Sequence, residues 1–278
     1  MIVLEKLSPG GQMASTDVID NYPGFDGGVG GFELGEKMQR GAERFGVETV
    51  FAQVDEAVLS ENPKRLMTSA GEVKALTVII ATGANPRELG LKEEQALLGR
   101  GVAYCATCDG MRFRDKTVVV VGGGNSAASE AVYLSKLCEK VYLVHRRDSL
   151  RASNVYLKPL DQSGVEFVWN SRVTGILHDG KVTGVAVEDV NTGKSREIKC
   201  DGLFVAIGRK PNTELFAGQI ELDGQGYITA DETTRTNIAG VFAAGDARAK
   251  PMRQIVTAVA DGAVASQYAE EYLMQLRE

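Results

Sequence analysis

Basic excess, proline, cysteine and long apolar runs are all scarce in this sequence, and each shortage removes a class of function. The formal net charge is −6, so a nucleic-acid partner gets no electrostatic support. No apolar run approaches the roughly 18 residues that a membrane-spanning helix needs. The opening "MIVLEKLSPGG" meets an acid at Glu5 and lacks the apolar core of a signal peptide. Seven prolines against 32 glycines point to tight turns and close backbone approaches, not to disorder. Four cysteines in 278 residues do not make a secreted disulfide scaffold, so the expected compartment is the reducing cytoplasm. The length suits two domains or one large one, and 44% hydrophobic with 24% charged residues is ordinary for a soluble globular protein.

What is there is a series of short apolar runs that end in glycine. "LTVIIATG" (76–83), "KTVVVVGGG" (116–124), "GLFVAIG" (202–208) and "GVFAAGD" (240–246) share this form. Rich in β-branched residues and without polar alternation, they read as strands buried on both faces. Helical patterns lie between them. In residues 125–137, Ala127, Ala131 and Leu134 share one face. The tail carries apolar residues at Ile255, Val259, Ala263, Tyr268 and Tyr272 and reads as a long helix broken near Gly262. Alternating strand and helix implies an α/β fold with largely parallel sheets. Two segments echo each other, strand–Gly–x–x–Pro at Gly83–Pro86 and at Gly208–Pro211. Read as hinges, they enclose an inserted domain, about 88–212, and leave a discontinuous outer domain, 1–87 plus 213–278. The alternative is that such exits are common loop grammar.

"VVVVGGGNSAASEA" is the best local motif. Gly122, Gly124 and Ala127 fit G-x-G-x-x-A, directly after a strand and opening a helix at Asn125 and Ser126. The first glycine makes the turn, the second admits a pyrophosphate to the backbone, and the third small residue lets helix and strand pack closely. A second strand, "KVYLVH", ends in His145, Arg146, Arg147 and Asp148. Where an NAD site usually has an acid, these arginines suit the 2′-phosphate of NADPH, with Arg151 assisting. A charge-assisted contact of about 1.5–3 kcal/mol is enough to separate NADPH from NADH. The competing reading is a solvated basic pair. His145 is either a helper at this site or simply the strand end.

"CATCDG" (105–110) holds Cys105 and Cys108. Zinc would need four ligands at short, paired spacing. The other candidates, Cys138, Cys200, His145 and His178, form no second pair. Cys138 and Cys200 read as buried single thiols. A static disulfide does not suit the cytosol. A redox dithiol remains, with Asp109 as a ready proton carrier or, more plainly, a turn residue before Gly110.

"CATCDG", "GGGNSA", "HRRD", "FVAIGRKPN" and "GVFAAGD" followed by "RQ", in this order, resemble the bacterial-type, low-molecular-weight thioredoxin reductases. "GGQM" (10–13) and "DNYPGF" (20–25) are similar to the family's flavin-facing segments. The resemblance implies two Rossmann-like dinucleotide-binding domains in three layers, binding FAD and NADPH. It implies that electrons pass from NADPH through FAD to a Cys105–Cys108 disulfide and on to thioredoxin, near −270 mV, while the domains rotate. By the same resemblance Cys108 faces the flavin, Cys105 attacks thioredoxin and Asp109 is the acid–base group. Glu5, Gly10, Gly11, Gln12, Asn21, Gly245, Asp246, Arg253 and Gln254 fall on the family's flavin-binding segments, and Gly83 and Gly208, at the two strand exits, are further expected cofactor-binding positions. A homodimer is implied and a metal is not. The family begins with its own strand–G-x-G-x-x-G–helix for the FAD pyrophosphate, whereas this chain opens at "IVLE", similar to the family's second strand. The alternatives are therefore an FAD-deficient or non-catalytic NADP-binding homologue, or a related disulfide reductase with another partner.

Overall fold

A computed structural model describes residues 1–16 and 18–277. The chain divides into two compact units. The first comprises residues 1–15, 22–85 and 210–278, and the second residues 16–21 and 86–209.

The second unit is built on a five-stranded sheet. Its strand order is Glu166–Val168, Lys140–Val144, Thr117–Gly122, Gly202–Ala206, Val102–Ala103, and every neighbouring pair is parallel. The valine run explains the central place of Thr117–Gly122. Val118 and Val120 face one core with the helices Asn125–Ser135 and Asn154–Asp161, while Val119 and Val121 face another. That other core is closed by an antiparallel sheet of Ser171–His178, Val182–Asp189 and Ser195–Lys199. A strand with both faces covered has no use for polar alternation, and each buried valine contributes about 1.5–3 kcal/mol. The result is three layers: helices, parallel sheet, antiparallel sheet.

The first unit holds two parallel strand pairs, Ile2–Glu5 with Glu48–Phe51 and Val78–Ile80 with Val241–Ala243. An antiparallel meander of Val54–Val58, Lys64–Thr68 and Gly71–Ala75 accompanies them. The helices are Gly31–Glu43 and Ile255–Gln275.

Three features depart from the sequence expectations. Two antiparallel three-stranded sheets stand beside the parallel ones. Their strands alternate buried and exposed residues, so they carry no continuous apolar run to announce them. The helix Ile255–Gln275 runs unbroken through Gly262, whose missing side chain faces open space. One glycine costs a helix about 1 kcal/mol relative to alanine, too little to break a docked helix of 21 residues. Its inward stripe also differs. Val259 is exposed, and Asp261, Ala265 and Ala269 are the buried positions. Small alanines bring this helix close to Phe242 and Ala244.

Candidate active site

Cys105 and Cys108 are joined in a disulfide. Cys105 is extended and stands immediately before the short helix Ala106–Asp109, followed by a 3₁₀ turn, Gly110–Phe113. The Cys105 carbonyl accepts the Cys108 and Asp109 N–H groups at 3.3 and 3.1 Å. The Thr107 hydroxyl lies 3.4 Å from Cys105 Sγ. Fully buried Ala106 packs with Ala127, Ala131 and Leu134, on the helix that follows the glycine loop. Gly110 lets the contact close, because a Cβ there would lie 3.0 Å from the Tyr133 ring. The disulfide and the glycine loop thus share one helix as their support. The remaining thiols are ill-suited to exchange. Burial, aided by neighbouring Asp115 and Asp201, pushes Cys138 up to about 11 and Cys200 up to about 12.

Sequence reasoning missed two carboxylates of this unit. Glu94 is fully buried and accepts the N–H groups of Leu89, Gly90 and Leu91 and the hydroxyl of Tyr104. Burial first, and then that bond, push the Tyr104 phenol well up, so it stays a donor beside Cys105. Glu130 lies on the same helical face as Ala127 and Leu134. A charge on an otherwise apolar face was the signal that could have found it.

In the glycine loop each position has its own reason. A Cβ on Gly122 would meet the Ala206 carbonyl oxygen at 2.4 Å and Ala127 Cβ at 2.7 Å. A Cβ on Gly123 would sit 2.1 Å from the His145 ring. Around Gly124 there is open space. Gly124 is also the residue before the helix Asn125–Ser135, and no side chain caps that helix start. Outward-facing N–H groups, an open backbone and a helix N-terminus fit a pyrophosphate. Asn125 and Ser126 are exposed there, while Ala127 is buried against the sheet. The following strand brings Arg146 and Arg147 to the surface, and Arg151 N–H donates to the Gly123 carbonyl at 2.7 Å. Asn125 Oδ1 accepts Ser153 N–H at 2.8 Å, which ties the arginine-bearing loop to the glycine loop. His145 is buried, packed against Gly123 and edge-on to Trp169. Burial, with Arg151, Arg146 and Arg147 adding to it, holds the imidazole below its usual value against an opposing bond to the Gly122 backbone. The buried ring packs beneath the loop at Gly123.

The remaining expected cofactor-binding positions fall mostly in the first unit. Gly10 and Gly11 have φ of +100° and +51° and lead into a 3₁₀ turn, Gly11–Ser15. Gln12 Nε2 donates to the Ala84 carbonyl and to Asn85 Oδ1. Gly83, with φ +73°, and Gly11 both look onto open space. Glu5 ends the first strand and accepts Leu7 N–H at 3.1 Å. Gly245 and Asp246 form a 3₁₀ turn directly after Val241–Ala243. Arg253 stacks on Tyr227 at 3.8 Å, and its buried Nε has no hydrogen-bond partner. Gln254 and Thr257 make a reciprocal cap at the start of the last helix. Open glycines and an orphaned buried guanidinium N–H fit a flat, acceptor-rich ring system such as a flavin. No strand–G-x-G-x-x-G–helix unit stands among the described residues of this unit. Asn21 and Gly208 belong to the second unit, where the Gly208 carbonyl accepts Arg87 N–H at 2.9 Å.

A further residue of the first unit was not foreseen. Asp261 is buried on the last helix and accepts Gly245 N–H at 2.9 Å, Lys250 Nζ at 2.6 Å and Arg248 Nη2 at 3.2 Å. It fixes the turn that carries Asp246.

Comparison with known proteins gives a consistent answer. The pyridine nucleotide-disulphide oxidoreductase family pattern matches residues 1–262. The thioredoxin reductase of Listeria monocytogenes is 44% identical over 100% of this chain and 87% of its own length. That of Bacillus subtilis is 42% identical over 100% of this chain and 88% of its own. Among solved structures, the thioredoxin reductase of Streptococcus pyogenes superposes with a TM-score of 0.89 at 42% identity, covering 99% of this chain and 90% of that one.

Proposed function

The chain belongs to the pyridine nucleotide-disulphide oxidoreductase family and within it to the bacterial-type thioredoxin reductases, and from that premise we propose how its own residues serve the reaction. The electron donor is NADPH and the acceptor is the disulfide of thioredoxin. The observation that carries the residue assignment is the Cys105–Cys108 bond on a short helix packed against the glycine-loop helix.

Arg146 and Arg147 hold the 2′-phosphate and select NADPH. The N–H groups at Gly124–Ser126 hold the pyrophosphate, with His145 as their support. FAD is the flavin, and Gly10, Gly11, Gln12, Gly83, Asp246 and Arg253 line its ring side. Bound flavin supplies the conversion of a hydride into the electron pair that opens a disulfide. Opening the Cys105–Cys108 bond takes two electrons and one proton and leaves one thiol and one thiolate, and Asp109, next to Cys108, delivers that proton. Cys105 as thiolate then attacks thioredoxin's disulfide. A mixed disulfide forms and one thioredoxin thiol leaves. Cys108 attacks Cys105, which releases reduced thioredoxin and restores the original bond. Electrons and protons balance over the cycle. The working form is a homodimer.

The test is steady-state reduction of thioredoxin with NADPH or NADH. Cys105→Ser and Cys108→Ser should each abolish it while NADPH binding persists. Arg146→Ala alone should raise the KM for NADPH roughly 10- to 100-fold, from about 1.5–3 kcal/mol for one charge-assisted contact, and leave NADH unaffected. Thioredoxin reduction that survives loss of both cysteines sinks the reading.

A further inference from the structure

We propose that Glu130 is a proton-holding positioning residue of the redox pair: its carboxylate binds a proton when the Cys105–Cys108 disulfide opens and releases it when the disulfide re-forms.

The geometry is specific. Glu130 lies on the face of the glycine-loop helix that carries Ala127 and Leu134, which pack with Ala106 of the helix Ala106–Asp109, and the Ala106 N–H favours its ionised form. Ala106 directly follows Cys105 in the chain. The other carboxyl oxygen, Oε2, is buried and has no hydrogen-bond partner. Two charged groups act on it, Asp109 from the redox helix and Arg209 from the strand Arg209–Pro211. The sheet beneath the glycine-loop helix turns Val118, Val120 and Phe204 toward that core. The neighbouring helix Asn154–Asp161 turns Leu157 and Leu160 inward. Burial first, then the charge of Asp109, pushes it up to about 7, against the lowering effects of the Ala106 N–H and Arg209.

The coupling has a definite sign. A disulfide carries no charge, whereas the reduced pair carries a thiolate. A thiolate beside Glu130 disfavours a second negative charge. This raises the carboxyl's proton affinity in the reduced state. Reduction therefore takes up part or all of one additional proton at a pH between the carboxyl's two values, the lower one near 7 in the disulfide form. The electrons come from any dithiol or from the reaction itself, and the proton comes from solvent. The thiolate that attacks the substrate is thus formed beside a neutral carboxyl, not a repelling one.

The inference rests on Cys105–Cys108 cycling between disulfide and dithiol. The experiment equilibrates the purified full chain with reduced and oxidised dithiothreitol from about pH 6 to about pH 9. The fraction reduced is read by alkylation and mass of the peptide that holds both cysteines. Glu130→Gln keeps the size and an acceptor oxygen and removes the charge. The equilibrium constant of the native protein, divided by that of Glu130→Gln, should fall as pH rises, by about tenfold for each unit that separates the carboxyl's two values. A total fall of fivefold or more supports the inference, to order of magnitude. A ratio that stays flat within about twofold overturns it. A merely structural role would shift the ratio equally at all pH values. Should Glu130→Gln fail to fold, the native protein decides. With 13C-labelled glutamate, the infrared carbonyl band of a protonated carboxyl must grow on reduction near neutral pH, and its failure to grow overturns the inference. A disulfide that dithiothreitol cannot open at all refutes the cycling itself, which separates the two failures.

Discussion

Replacing Asp261 with alanine strands two cations inside the first unit. The side chains of Arg248, Lys250 and Asp261 are only 7%, 6% and 10% exposed, and the carboxylate is the anion between them. Gly245 N–H also loses its acceptor. Replacing such a cluster by well-packed apolar residues is often neutral, but removing one partner leaves uncompensated buried charge and costs about 3–5 kcal/mol. For a unit of this size, that corresponds to a fall in Tm of roughly 6–20 °C. Asp261→Asn keeps an acceptor for Gly245 and should lose about half as much. Lys250→Met alone leaves Asp261 paired with Arg248 and should be mild. Combined with Asp261→Ala it should cost less than the sum, because the alanine variant no longer needs to neutralise that ammonium. Thermal unfolding followed by circular dichroism measures all four. The turn at Gly245–Asp246 should also loosen, so flavin should be released at a lower temperature than in the native protein. An Asp261→Ala variant that melts within about 2 °C of the native protein, or a double variant with additive cost, would refute the reasoning.

Adjacent glycines of the dinucleotide loop should fail in different ways. Gly123→Ala drives a Cβ into the His145 ring, 2.1 Å away, and should destabilise the second unit, whereas Gly124→Ala enters open space and should fold normally but raise the KM for NADPH; melting curves beside KM values separate the two. His145 should give the second unit an acid-side weakness. Its folded value is lowered, so the unfolded chain binds more protons below about pH 6.5 and stability falls as pH drops through that value. His145→Gln should lose this pH dependence, and denaturant midpoints from about pH 5 to 8 test it.

Several features were legible because short-range physics wrote them. The run Val118–Val121 can only be a strand covered on both faces, and it is the middle strand of the parallel sheet. Gly122 and Ala127 are small because helix and strand meet there, a demand visible between two residues five positions apart. The two cysteines, three apart, bond across one turn without help from distant chain.

Other features needed the folded chain. Gly262 sits inside a helix because docking against Phe242 and Ala244 outweighs the local penalty of one glycine. The antiparallel sheets alternate buried with exposed residues, a pattern that only a covering layer converts into strand. Arg248 and Asp261 are 13 positions apart, yet the turn before the last helix brings them within 3.2 Å. Glu130 shows in the sequence only as a charge on an apolar helix face, and it takes the fold to set the helix Ala106–Asp109 against that face. The sequence alone determined which groups are present: a cysteine pair, a glycine loop that opens a helix, and paired arginines, each encoded in residues a few positions apart. The tertiary structure decided which charges are buried beside those groups, because burial depends on what the rest of the chain lays over a residue, and that is not a local property.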